Sequence, residues 1–301
     1  MDTIRALTHD GTFHADEVTA YAILALAEPG TVPRSFVRSR DPAAIERAGI
    51  VFDVGGVCDP ARHRYDHHMR DRPLRGDGTP YSSAGLIWRA FGRAMLARLA
   101  PEADEALRER VWAALDAEFI LPIDRIDNGI GEAGGLSYGT LVADMNPSWD
   151  DPAPDETAAF LAAARFAEGA LRRKAAALLA RLRAERAVLA AARTAADPRL
   201  LELPGHQPWQ DAVFDHGLPV LFVVYPGRRG SWRIDAVPPE RGSFAQRRAL
   251  PADWAGLSGE DLQRASGVRD AGFVHPARFT GGASSRAGIL AMARLALAYG
   301  D

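Results

Sequence analysis

Short apolar segments alternate with helical patterns through the first half of this 301-residue chain, and this alternation limits its fold more than any other feature. Strands that alternate with helices form a mostly parallel sheet covered by helices. We therefore predict an α/β fold with a mostly parallel N-terminal sheet. The strand candidates are residues 4–8, 35–38 and 50–54, and the helix candidates are residues 17–27, 82–99 and 102–120, the last of which ends at Pro122.

A run rich in alanine and arginine, residues 157–196, contains no proline and predicts one long helix, with Gly169 as a position that favours a break. Asp155 is a suitable N-cap for this helix. Further strand candidates and a final helical pattern, residues 286–299, predict a second α/β domain beyond it. The predicted layout is an N-terminal domain over 1–150, a connecting helix over 151–197 and a smaller α/β domain over 198–301.

Composition excludes several classes of protein. The chain has 47% hydrophobic and 25% charged residues, which is typical of soluble globular proteins. Its net charge of −3 argues against a protein whose whole surface binds nucleic acid by charge. Cys58 is the only cysteine, which excludes intramolecular disulfides and cysteine-cluster zinc sites. No apolar run approaches the roughly 18 residues that span a bilayer, and the N-terminus lacks a signal-peptide core. We therefore expect a cytoplasmic protein without a membrane partner.

Histidine and aspartate residues are concentrated where predicted strands or helices give way to loops. In open α/β sheets, ligands bind at the carboxyl ends of the strands. A mixture of imidazole and carboxylate groups suits manganese, iron or zinc better than calcium. About seven such groups exceed what one ion needs, so we predict two ions that share a carboxylate. The candidates are His9, His14, Asp16, Asp53, Asp66, His67 and His68, and Asp124 and Asp127 follow at the end of a helical segment.

Each of these groups also has a purely structural interpretation. His14 could fill or cap a turn, Asp53 could form a turn after its strand, and residues 66–68 could be a solvated loop. Their order along the chain, each at the end of an element, favours a common site. The chain contains no P-loop, GxGxxG, HExxH or GxSxG sequence, so it offers no basis for nucleoside-triphosphate hydrolysis or hydride transfer.

Six stretches of the sequence resemble one known family: THDGTFHADEVTAYAIL, VFDVGG, RYDHHM, YSSAGLIW, IDRIDNGI and FVHPARFTGGASSRAGIL. They are similar to the melanocyte proliferating gene family, which belongs to the DHH phosphoesterase superfamily together with RecJ-type nucleases and manganese pyrophosphatases. The motifs extend from residue 8 to residue 290, so the resemblance covers nearly the whole chain. It implies a DHH-type metal-binding domain followed by a substrate-binding domain.

The resemblance also implies roles for the first-domain candidates. His14 stands where the superfamily usually has an aspartate, and Asp53 stands where a carboxylate bridges two metals and serves catalysis. His67 resembles the metal ligand of the DHH motif, and His68 resembles the catalytic group that faces the phosphoryl oxygens. The ligands of two Mn²⁺ or Mg²⁺ ions would then be His9, His14, Asp16, Asp53, His67 and either Asp127, which we favour, or Asp124.

Two further positions in the DHH motif follow from the resemblance. Asp66 is expected to orient a histidine from outside the metal's ligand set. Met69 departs from the glutamine that usually follows DHH in the family, which affects the expected substrate contacts but not metal binding.

A glycine-rich segment near the C-terminus is the predicted substrate site. Gly281-Gly282 can present backbone N–H groups to an anion before the last helix. The same pattern also fits a glycine loop with an N-cap serine and a surface arginine, and the resemblance favours the anion site. Because Lys174 is the only lysine, a single arginine is weak evidence for phosphate binding in this chain. The predicted substrate-binding residues are His275, Arg278, Gly281, Gly282, Ser284, Ser285 and Arg286.

The residues therefore predict a metal-dependent phosphoesterase, and the resemblance implies a 3′–5′ exonuclease that acts on RNA or short oligonucleotides. A nucleotide or pyrophosphate phosphatase is the alternative within the same class. A metal-stabilised binding protein without turnover is the alternative from another class. The sequence does not determine whether the substrate is RNA or DNA. It also leaves open the native metal and the oligomeric state, with a homodimer among the options.

Overall fold

Two five-stranded mixed sheets, together with helices, give the described chain an α/β fold, as the alternation of elements predicts. The computed structural model describes residues 5–131 and 135–299. The chain divides into two compact units, with the division between Ala180 and Arg181.

The sheet of the first unit is built from short strands, two of which bury apolar side chains on both faces. Its strands are β1 (Ala6–Thr8), β2 (Phe36–Arg38), β3 (Ile50–Phe52), β4 (Cys58–Asp59) and β5 (Arg64–Tyr65), in the order β2-β1-β3-β5-β4. β1 pairs in parallel with β2 and β3, and β3 pairs in parallel with β5, whereas β4 is an antiparallel edge strand. The sheet is therefore mostly parallel, as predicted. Ile4, the first residue of the first strand candidate, lies outside the described residues.

The helices of the first unit pack around this sheet. They are α1 (Ala15–Ala27), α2 (Pro42–Arg47), α3 (Ser83–Leu99), α4 (Glu105–Leu115), α5 (Leu121–Asp127) and α6 (Tyr138–Ala143). α1 is buried from Asp16 to Ala27 and packs against α3, which begins after Ser82. Leu7 and Val51 share one face of the sheet and pack against Ala44 of α2.

The helix end predicted at Pro122 is wrong. α4 passes into a π-helical turn, Asp116–Ile120, and the chain continues as α5. Pro122 lies in the first turn of α5, where a missing backbone N–H breaks no hydrogen bond of that helix. The helical path therefore extends to Asp127, which ends α5.

The long helix predicted over 157–196 is present as α7 (Glu156–Thr194), and it continues without a break through Gly169. Asp155 accepts a hydrogen bond from the backbone N–H of Ala158 at 2.8 Å, as expected of its N-cap. The division between the two units falls inside α7, and the domain limits drawn from the sequence stay a prediction. No helix among the described residues combines the length and the hydrophobicity needed to cross a bilayer.

The second unit has a mixed sheet of its own. Its strands are β6 (Leu200–Glu202), β7 (Phe222–Pro226), β8 (Trp232–Ala236), β9 (Ala271–Val274) and β10 (Thr280–Ala283), and its helices are α8 (Gln210–Asp215), α9 (Gly259–Ser266) and α10 (Arg286–Ala298). The order is β6-β7-β8-β10-β9, in which β6 and β7 are parallel and the other pairs are antiparallel. Phe222, Ile234 and Met292 belong to its buried core.

Gly281 and Gly282 both lie inside β10 and not in a glycine loop, which was the structural alternative to the predicted anion site. β8 and β9 pair with this strand on its two sides, so the glycines belong to the sheet ladder. A Cβ on Gly282 would lie 2.8 Å from the ring of Phe273, and one on Gly281 would lie 2.9 Å from the carbonyl oxygen of the same residue. Close packing of neighbouring strands therefore accounts for these two glycines.

Candidate metal centre

Three neighbouring parallel strands of the first unit bring the candidate ligands to one edge of the sheet. His9 follows β1, Asp53 follows β3, and Asp66, His67 and His68 follow β5. Because the carboxyl ends of parallel strands meet at the same edge, these segments lie side by side.

Asp53 lies at the centre of this cluster. Its Oδ1 is 2.9 Å from Nε2 of His67, and its Oδ2 is 3.1 Å from Nε2 of His9. Its φ of 59° is in the left-handed region, which aspartate tolerates better than most residues. Burial acts to raise the pKa of Asp53, but the hydrogen bonds from His67 and His9 outweigh it and lower the pKa. The two oxygens of one buried carboxylate thus face two different histidines.

One group of side chains surrounds His67. Its Nε2 is 3.7 Å from Oδ2 of Asp16 and 3.6 Å from Oδ2 of Asp127. Burial disfavours the protonated ring, but Asp53 and the charges of Asp16 and Asp127 outweigh it and raise the pKa of His67 to about 9. Burial, together with the charge of Asp16, raises the pKa of Asp127 to about 8. The carboxyl groups of Asp16, Asp53 and Asp127 therefore crowd around this imidazole.

A second group surrounds Glu17, which lies in the first turn of α1. Its Oε1 is 3.2 Å from Nε2 of His9 and 4.0 Å from Nδ1 of the exposed His14, and it accepts the backbone N–H of His14 at 2.7 Å. Burial, and then the charge of Asp16, raises the pKa of Glu17. Burial opposes protonation of His9, but its hydrogen bonds to Asp53 and Glu17 prevail and raise its pKa to about 10.

The donor set fits divalent cations. Oδ1 of Asp16 and Oε2 of Glu17 are buried and have no hydrogen-bond partner in the described part of the chain. Oxygens of Asp16, Glu17 and Asp53 lie within 4.8 Å of one another, so like charges crowd a buried space. Such an arrangement is costly unless a cation compensates it. Carboxylates suit Mg²⁺ and Mn²⁺, and imidazole adds affinity for Mn²⁺ and other transition metals.

Asp66 holds the DHH segment in place. Its Oδ1 accepts hydrogen bonds from Nδ1 of His68 at 2.8 Å and from the backbone N–H of His67 at 2.7 Å, and its Oδ2 accepts the N–H of Gly56 at 2.5 Å. The carboxylate therefore fixes the ring of His68 and also ties down the Gly55-Gly56 turn beyond Asp53.

The structure brings Asp127, and not Asp124, into the cluster. Asp124 is fully buried, and its oxygens accept hydrogen bonds from the hydroxyl of Ser82 at 2.6 Å and from Nε of Arg75 at 2.6 Å. A Cβ on Gly85 would lie 2.4 Å from Asp124, so α3 and α5 are packed closely at this point. Asp124 thus anchors α5, whose last residue faces His67.

The substrate-binding residues predicted in the second unit have partners within that unit. Ser285 caps α10 by accepting the N–H of Gly288 at 3.0 Å, and its hydroxyl donates to Asp270. The N–H of Ser284 donates to the carbonyl oxygen of Asp270 at 3.0 Å. Arg286 forms an exposed ion pair with Glu202 at 2.7 Å.

His275 and Arg278, just before β10, are engaged as well. Nδ1 of His275 accepts the N–H of Ala277 at 3.1 Å, and Arg278 donates to the carbonyl oxygen of Leu250 at 3.3 Å. The assignment of these residues to phosphate binding stays a prediction, and it requires Arg286 to leave Glu202.

An open pocket of about 1680 Å³ in the first unit contains the histidines and aspartates of the cluster. Sequence reasoning missed several of its residues. Arg72 lines the pocket and donates to the side-chain oxygen of Asn128 at 2.8 Å, and it forms no ion pair with a carboxylate of the described residues. Phe119 and Tyr138 line the same pocket. Nothing in the sequence separates these three from ordinary surface or core residues.

Glu17 is different, because a sequence signal for it exists. It stands three residues after His14, the N-cap of α1, and a glutamate at that spacing forms a capping box. Its place beside Asp16 in the HADE motif also indicates proximity to the metal ligands.

A family model named MYG1_exonuc and described as "Uncharacterised protein family (UPF0160)" matches residues 5–297. The chain belongs to this family. It is 36% identical to the MYG1 exonuclease of Homo sapiens and 38% identical to that of Bos taurus, over 97% of this chain and 85% and 84% of those proteins. It is also 29% identical to a MYG1 protein of Saccharomyces cerevisiae, over 97% of this chain and 95% of that one. No solved structure matches. The family predicted from the motifs is thereby confirmed.

Proposed function

We propose that this chain is a divalent-metal-dependent phosphodiesterase that acts as a 3′–5′ exonuclease on RNA or short oligonucleotides. The proposal depends mainly on the position of Asp53, because its two oxygens each lie beside a histidine of a different ligand group. The MYG1 exonucleases of Homo sapiens and Bos taurus support the reaction class. The 3′–5′ direction and the RNA substrate rest on the resemblance of the motifs.

Two Mn²⁺ or Mg²⁺ ions would share Asp53. When bound, such a pair activates water and neutralises negative charge on phosphoryl oxygens. The ligands available to one ion are Asp16, His67 and Asp127, and those available to the other are His9, His14 and Glu17.

His68 is the candidate general acid. Its side chain is 62% exposed, against 6% for His67, so the two histidines of the DHH motif meet different partners. Nδ1 of His68 is hydrogen-bonded to Asp66, so the protonated ring can donate from Nε2 to a phosphoryl or leaving oxygen. We assign His67, which is buried beside three carboxylates, to metal binding instead.

The pocket also suits a substrate larger than pyrophosphate. Sites for single small ligands typically enclose ~300–1000 Å³, and this pocket of about 1680 Å³ exceeds that range. Arg72 supplies a guanidinium that can form charge-assisted hydrogen bonds to a phosphate. Its partner Asn128 is neutral, so a phosphate does not have to displace a carboxylate from it.

Hydrolysis of 5′-labelled single-stranded RNA tests the proposal. With Mn²⁺ or Mg²⁺ we expect progressive shortening from the 3′ end, release of nucleoside monophosphates and full inhibition by EDTA. An oligonucleotide with a blocked 3′ end is the matched control, and it should resist cleavage. Turnover of pyrophosphate alone would indicate a small-molecule phosphatase, and metal binding without any turnover would indicate a binding protein.

A further inference from the structure

An apolar surface lines the same pocket as the metal cluster. We call the side chains of Phe119 and Tyr138 the aromatic wall, and Ile126 lines the same pocket. The rings of Phe119 and Tyr138 have their centroids 5.0 Å apart at an interplanar angle of 56°. Ile126 is 44% exposed although it is a large apolar residue. The pocket therefore combines a charged region with an apolar one, and inorganic phosphate would use the charged region alone.

The aromatic wall is held rigidly. The hydroxyl of Tyr138 is hydrogen-bonded to Oγ1 of Thr19 at 2.8 Å, and its ring stacks on Phe166 with the centroids 5.9 Å apart at 16°. Ser137 caps the first turn of α6, where Tyr138 lies. A surface that is already ordered loses little conformational entropy when a ligand binds to it.

We propose that the aromatic wall binds the nucleobase of the nucleotide whose phosphate lies at the metal cluster. The inference deepens the proposed function and rests on it for the phosphate position. Bases have π-faces that stack on aromatic side chains whatever their sequence, which suits an exonuclease that must accept every base. The ligand class is thus a nucleoside 5′-phosphate or an oligonucleotide end, and a sugar phosphate without a base should bind weakly.

The first test uses the unaltered protein. Calorimetry in the presence of Mn²⁺ compares the affinity for adenosine 5′-monophosphate with that for ribose 5-phosphate. We expect the nucleotide to bind about 10-fold to 100-fold more tightly, as one stacked base contributes. Equal affinities would overturn the inference. Because this measurement needs no turnover, it stays decisive even if the protein hydrolyses no oligonucleotide, an outcome that would refute the proposed function alone.

Variants then locate the base site. Phe119→Leu should reduce the preference for the nucleotide to about threefold or less, with unchanged metal content and unchanged affinity for ribose 5-phosphate. Phe91→Leu is the matched control: Phe91 is also half-buried in the first unit, packs near Tyr65 and lies outside the pocket lining, so the preference should persist. Should Phe119→Leu keep the full preference, the aromatic wall is not the base site.

Discussion

The metal cluster of the first unit and the segment 275–286 of the second unit both carry residues that the sequence indicates as functional, yet their side chains are engaged differently. In the cluster, buried carboxylates face one another, and oxygens of Asp16 and Glu17 have no hydrogen-bond partner in the described chain. In the segment, the side chains are largely satisfied by neighbours: Arg286 pairs with Glu202, and Ser285 bonds to Asp270.

This difference separates groups that need a ligand from groups that already have partners. Burying like charges together is unfavourable unless a cation compensates them. The cluster therefore has unused capacity to coordinate a cation. In the segment, Ser285 and Arg286 would have to bind an anion, yet each already lies beside a carboxylate. Ser285 contacts Asp270, and Arg286 contacts Glu202.

The largest effect is expected from Asp53→Asn, which replaces one oxygen with an amide and removes the shared negative charge. We expect bound metal to fall sharply and kcat/KM to fall on the order of 10³-fold or more, because metal stabilisation of the transition state is worth several kcal/mol. Metal analysis and oligonucleotide hydrolysis measure both. Asp150→Asn, at an exposed carboxylate outside the pocket lining, should change neither. Near-normal activity of Asp53→Asn would refute the two-metal assignment.

The next effect concerns the two histidines of the DHH motif. His67→Ala should lower metal occupancy, because it removes a buried ligand. His68→Ala should keep the metals and lower kcat by about 10²-fold, as loss of a general acid does. Equal metal loss in the two variants would mean that their roles are divided incorrectly.

Substitution of two arginines compares phosphate binding in the pocket with phosphate binding in the second unit. Arg72→Ala should lower kcat/KM by about 10-fold to 100-fold, the equivalent of a ~1.5–3 kcal/mol charged hydrogen bond. Arg286→Ala should lower it by about threefold or less, since this guanidinium is exposed and already paired with Glu202. Similar losses would establish that the second unit also binds the phosphate. Unchanged metal content in both variants is the control.

The smallest effect is one of stability. Gly282→Ala places a Cβ against Phe273, and overpacking of this kind costs ~1–3 kcal/mol of unfolding free energy. Urea unfolding of the whole protein should show this loss, while metal content remains unchanged. Gly205→Ala is the matched control, because a Cβ there would meet nothing within 4 Å. A stable Gly282→Ala variant that has lost its affinity for substrate would favour an anion-binding role for this glycine.

Much of the metal cluster could be predicted because its residues follow strands whose neighbours are determined by the fold. His9, Asp53 and His67 each follow a parallel strand, and parallel strands bring such residues to one edge of the sheet. The choice between Asp124 and Asp127 could not be made from spacing. It depends on a π-helical turn that lets α5 continue past Pro122 and on Ser82 and Arg75, which engage Asp124.

Gly281-Gly282 illustrates the opposite case. Glycine pairs occur both in loops that bind anions and in strands where backbones approach closely, and the local sequence is the same for both. Pairing with β8 and β9 determines which applies, and that pairing is a tertiary property. Phe119 and Tyr138 were missed for a similar reason, because their exposure to the pocket arises only when the helices are packed.

Anomalous scattering from crystals soaked with Mn²⁺ would show whether two metal ions share Asp53. We expect two peaks roughly 3.5–4 Å apart, one on either side of Asp53, with His67 and Asp127 beside one and His9 beside the other. A single peak that does not touch Asp53, or peaks only at the segment 275–286, would contradict this expectation.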